Sequence, residues 1–109
     1  MYIDDIMDII KMLQPWVEDE IEDAKKYAMA AMQIKEHHPD IADALVEIST
    51  EEMGHMSRLH AALTKLIEAY RNEKGEPPAS MLAVYDYLHK KQIAKAAEVK
   101  NLQAMYKEA

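Results

Sequence analysis

The chain has 109 residues and a formal charge of −7, with 2 Gly, 4 Pro, 9 Met, no Phe and no Cys. That is one domain's worth of sequence with a composition that favours helix over strand. The acidic balance argues against a phosphate backbone as partner. The absence of Cys removes disulfides and thiolates, so any bound metal must be held by carboxylate and imidazole.

In chain order, the start "MYIDDIMDII" carries acids where a signal peptide would carry positive charge. No apolar run approaches the length needed to cross a bilayer. The expectation is a cytoplasmic protein with no membrane partner, forming a single helical domain over 1–109. A short amphipathic helix is expected within 1–14. Pro15 should then open a longer one over 15–37, because proline suits the first turn of a helix. "HHPD" at 37–40 reads as the next stop, with Pro39 again placed as a first helical residue. A second long helix is expected over 39–74, ended by Gly75. After "GEPPAS", Ser80 is a candidate cap for a C-terminal helix over 79–109. No strand or hairpin signal occurs.

Stepping by three and four along the first long helix gathers Leu13, Val17, Glu20, Ala24, Tyr27, Ala31 and Ile34 on one face, with Ile21 and Ala28 widening it. Glu20 alone is charged. The same rule on the second helix gathers Ile41, Leu45, Ile48, Glu52, His55, Leu59, Ala62, Leu66 and Ala69. There only Glu52 and His55 are polar, and both are expected to point inward. The short turn makes the two helices antiparallel neighbours. Glu20 and the Glu52/His55 pair each lie roughly 25 Å from that turn at ~1.5 Å rise per residue, hence level with each other. A carboxylate isolated in an apolar interior is strongly penalised, and a cation reverses the sign of that penalty.

An acid three residues before a histidine is a weak signal alone, since 20 acids and 5 His make about one such pair expected by chance. A second one exists, Asp86-Tyr-Leu-His89, without the supporting stripe. The convergence of three polar residues on one level favours a metal site over a hydrogen-bonded or salt-bridged cluster. Glu18, Asp19, Glu22 and Asp23 read most simply as a solvated face, the alternative being acids that draw cations toward the site. Tyr27 reads as a core aromatic able to hydrogen-bond a ligand carboxylate. The methionines read as flexible core filler.

Glu20, Tyr27, Glu52 and His55, within "EIEDAKKYA" and "EEMGH", resemble the ferritin-like superfamily of carboxylate-bridged di-iron proteins. The resemblance covers about 13–70. A complete site of that kind draws a Glu from each of two helices and a Glu-x-x-His from each of two others; this chain holds one half. Glu98 on the third helix is followed by Asn101 where a His would be needed. By symmetry, two chains about a two-fold axis would supply both halves, which resembles the encapsulated ferritins.

The resemblance implies an antiparallel two-helix hairpin plus C-terminal helix, dimerising into a ferritin-like four-helix bundle. It implies two Fe ions per dimeric site, with Mn or Zn compatible with the same ligands. Glu20, Glu52 and His55 would be both ligands and catalytic residues, with Tyr27 beside them. The activity implied is ferroxidation with dioxygen or peroxide, in a homodimer or larger homo-oligomer, with a protein shell as a further partner. Two other readings stand beside it: a non-enzymatic dimerisation module, and a di-metal peroxidase on the same scaffold.

Overall fold

The computed structural model describes residues 5–108. The remainder of the helix expected at 1–14, and Ala109, lie outside them. Three helices account for nearly all of it: α1 (Ile6–Ile34), α2 (Pro39–Lys74) and α3 (Ala79–Glu108). There is no strand among the described residues.

The ends follow local chemistry. Asp5 caps α1, its Oδ1 accepting from the Met7 N–H at 2.9 Å. Pro39 opens α2, where the missing N–H has no helical partner to lose. Gly75 closes it at φ 81°, a backbone conformation that a side chain would strain, and donates its N–H to the Arg71 carbonyl at 3.0 Å. Arg71 and Lys74 sit in the last turn, favourable at the negative end of the helix dipole. Ser80 does not cap α3. The helix begins one residue earlier, and the Pro78 carbonyl accepts from the N–H groups of Met81 and Leu82.

The break expected at Pro15 does not occur. α1 runs without interruption from Ile6 to Ile34 with Pro15 inside it. An interior proline forfeits one hydrogen bond and crowds the preceding turn. Against that, Ile10, Val17 and Ile21 bury on one face on both sides of it, within the main core cluster with Leu63 and Val99. Burying such side chains contributes about 1.5–3 kcal/mol each, so tertiary packing outweighs the local preference.

α1 and α2 form the expected antiparallel hairpin, and α3 returns parallel to α1. Lys95 meets Glu18 and Glu22 at 3.1 and 3.2 Å, and Lys25 meets Glu98 at 2.9 Å. Near the 34–39 turn, the Lys35 ammonium donates to the Tyr106 carbonyl at 2.5 Å, and the Tyr106 hydroxyl donates to Asp43. Ser49, fully buried, ties all three helices together. Its hydroxyl donates to the Ala24 carbonyl at 2.6 Å and accepts from the Gln103 amide at 2.9 Å.

The buried ridge is not the stripe that periodicity alone picks out. On α2 it is Ala42, Val46, Ser49, Met53 and Leu63, displaced by about one residue from the expected Ile41–Leu45–Ile48–Glu52 line. On α1 it is Ile10, Val17, Ile21, Ala24, Ala28 and Ala31. Small residues at Ala24, Ala28, Ala31 and Ala42 let the helices approach closely. Leu13, Glu20, Tyr27 and Ile34 on α1, with Leu45, Ile48, Glu52 and Leu59 on α2, are only partly covered, and Ile41 is 56% exposed. They form a continuous flank of the hairpin. On α3 the buried positions are Gln92, Val99 and Tyr106, one every seven residues. The molecule is elongated, with a radius of gyration of 17.0 Å against about 13 Å for a compact chain of this length.

Candidate metal centre

Glu20 reaches the site from the middle of α1, and Glu52 and His55 reach it from one face of α2, three residues and nearly one turn apart. The arithmetic of helical rise holds: one ligand-type atom from each residue lies within 4.8 Å of the others. His55 Nδ1 is 3.5 Å from Glu20 Oε2 and 3.9 Å from Glu52 Oε2. Ligand atoms sharing one first-row metal at ~2.1 Å stand about 3.0–3.4 Å apart, so small side-chain rotations would close these three onto a single ion.

Burial differs from the expectation. The side chains of Glu20 and Glu52 are 26% and 20% exposed, but His55 is 52% exposed. The three were expected to face an enclosed interior; they lie on the open flank instead. The reason is the one-residue displacement of the ridge, which puts Ser49 and Met53 in the core and turns Glu52 and His55 to its edge. A cleft of about 360 Å³ opens there, lined by Trp16, Asp19, Glu20, His55, Arg58 and Leu59.

Two electrostatic features mark the cluster. Glu20 Oε2 is buried and has no hydrogen-bond partner, a costly state for a carboxylate oxygen. The Glu52 carboxyl is pushed up to about 6, first by its hydrogen bond with Glu20, then by burial and by the Glu20 charge, with His55 acting in the opposite sense. Two acids held this close resist joint ionisation, and a divalent cation removes the conflict. The donor set of two carboxylates and an imidazole suits Fe, Mn or Zn, so the residues fit a metal of this class.

The neighbouring acids divide by role. Glu18 and Glu22 are matched by Lys95, with Lys91 also 3.8 Å from Glu18. Asp19 lines the cleft, and Asp23 adds to the upward push on Glu52. Tyr27 stands two turns along α1, half-buried, with the Lys26 ammonium 5.2 Å from its ring centre. Glu98 pairs with Lys25, and His89 stacks on His60, ring centres 4.9 Å apart. Ser49, Gln92 and His60 were not singled out by periodicity. For Ser49 the available signal was its place one residue beyond Ile48, on the line through Ala42 and Val46. Comparison finds no match to the chain among protein-family models, curated proteins or solved structures.

Proposed function

We propose that the chain is a ferroxidase of ferritin-like type whose di-iron site is completed across a two-fold interface between two copies. The observation that carries this reading is the Glu20–Glu52–His55 cluster, which gathers metal-ligand atoms around the orphaned Glu20 oxygen. The open flank supports the second half of it. Trp16, large and apolar, lies exposed beside the cluster, and Ile41 is exposed further along α2 toward the turn; exposed apolar side chains flanking a site are candidate partner contacts. A second copy placed against that flank would add its own two carboxylates and imidazole, giving the four-Glu, two-His set of a di-metal bundle.

Iron is the substrate here. Glu20, Glu52 and His55 of each copy would hold the two ions between them. Two Fe(II) ions lose one electron each; dioxygen takes both with two protons and leaves as hydrogen peroxide. Peroxide in turn takes two electrons and two protons to leave as two waters. The anionic ligands favour the higher charge of Fe(III), which sets the direction of the reaction. Tyr27 is assigned to orienting a ligand carboxylate.

Anaerobic Fe(II) loading and metal analysis test the reading: about two irons per dimer are expected, and none would overturn it. Glu52→Ala and His55→Ala should each abolish rapid Fe(II) oxidation while leaving the helical circular dichroism intact. The apolar flank favours one further reading, a non-enzymatic dimerisation module, because it exists apart from the ligands. Size measurement with and without chelator separates the two, since only a metal-bridged dimer loosens when the ion is removed. Faster turnover with an organic substrate and peroxide than with Fe(II) would indicate the di-metal peroxidase instead.

A further inference from the structure

Away from the acidic cluster, residues of α1, α2 and α3 line another cavity, of about 340 Å³ and open to solvent on one side, with Val17, Met56 and Ile93 among its apolar walls. Its polar lining includes one donor with nothing to bond to. Gln92 is 7% exposed, and its Nε2 is buried without an acceptor. His60 and His89 meet face to face, ring centres 4.9 Å apart and planes 17° from parallel. Tyr85 also stacks on His89, ring centres 5.8 Å apart, which restrains the imidazole pair. Lys100 lines the same space. Ser57 already donates its proton to the Met53 carbonyl at 3.1 Å, and no carboxylate is among the described residues lining the cavity. An apolar pocket with a few polar side chains and one cation has the make-up of a small-molecule site. A buried amide donor with nothing to bond to calls for an acceptor from outside.

We propose that this cavity binds a small aliphatic carboxylate, its chain lying against Val17, Met56 and Ile93 and its head group accepting N–H bonds from Gln92 and the His60–His89 pair. Lys100 supplies the opposite charge. The site is separate from the cluster at Glu20, so it stands or falls independently of the ferroxidase reading.

The test is isothermal titration calorimetry of the full chain in chelator with sodium octanoate, repeated in a Glu52→Ala background to keep the two sites apart. One octanoate per chain is expected, with the same affinity in both backgrounds. Gln92→Leu, which keeps the volume and removes the donor, and Lys100→Gln should each weaken binding at least tenfold. Octan-1-ol, with the chain and no charge, should bind at least tenfold more weakly. No octanoate binding, equal binding of octan-1-ol, or full affinity in Gln92→Leu would overturn the proposal. Should Gln92→Leu fail to fold, Lys100→Gln at an exposed position and the imidazole resonances of His60 and His89 decide. Resonances that stay put on octanoate addition would refute it.

Discussion

Replacing Glu52 by Gln should separate the stability of the metal-free protein from its capacity to bind metal. In the folded chain the Glu52 carboxyl lies at about 6, against an ordinary value of 4.5. A carboxyl raised in this way binds more protons folded than unfolded. The stability it contributes is complete below about pH 4.5 and is lost as pH rises through about 6. The rise from 4.5 to about 6 corresponds to about 2 kcal/mol, and the residue's partial exposure reduces it to about 1–2 kcal/mol.

Glutamine keeps the shape and a donor that can serve Glu20 but has no charge to lose. In chelator, Glu52→Gln should therefore match wild type near pH 4.5 and exceed it by about 1–2 kcal/mol near pH 7.5, roughly 4–16 °C in Tm for a domain of this size. With Fe(II) or Zn(II) present the order should reverse, because the ion stabilises only the protein that can bind it. Urea unfolding followed by far-ultraviolet circular dichroism at the two pH values, with and without metal, measures all four quantities. An identical pH dependence for variant and wild type would refute the assignment of strain to the Glu20–Glu52 pair. A metal-induced rise in Tm in Glu52→Gln as large as in wild type would remove Glu52 from the ligand set.

Ser49→Ala removes the buried hydroxyl that joins α1, α2 and α3 and leaves the Gln103 amide without that acceptor. A loss of about 1–2 kcal/mol is expected, read as a lower urea midpoint, and no loss would mean the junction contributes nothing net. Pro15→Ala restores an interior N–H and relieves the crowded turn of α1, so stability should rise by up to ~3 kcal/mol; a fall would mean the proline is favoured by packing or by its stiffening of the unfolded chain. Ile41→Lys charges the exposed apolar flank. Light scattering should show the proposed dimer weakened at micromolar concentration while helicity is kept, and a particle size unchanged from wild type would place any interface elsewhere.

Helical segments throughout, the turn before Pro39, the stop at Gly75 and the levelling of Glu20 with Glu52 and His55 were legible in the sequence, although it split α1 into two helices at Pro15. Each depends on local rules: where proline and glycine stand, and a constant rise per residue that makes position along a hairpin a matter of counting. What counting could not supply is rotation about the helix axis. α3 docks beside α1 through Lys95 and Lys25 and reaches α2 through Gln103 and Tyr106. The core accordingly settles on the Val46–Ser49–Met53 line rather than the more hydrophobic Leu45–Ile48 line. One residue of displacement turns a helix by about 100°, enough to move His55 from an enclosed position to the edge. The continuity of α1 through Pro15 has the same origin, since side chains buried on both sides of it outweigh a preference that acts over one turn. Local sequence thus determined which residues lie level with one another, and three-helix packing decided which way they face, because the facing is chosen by the summed burial of all three helices at once.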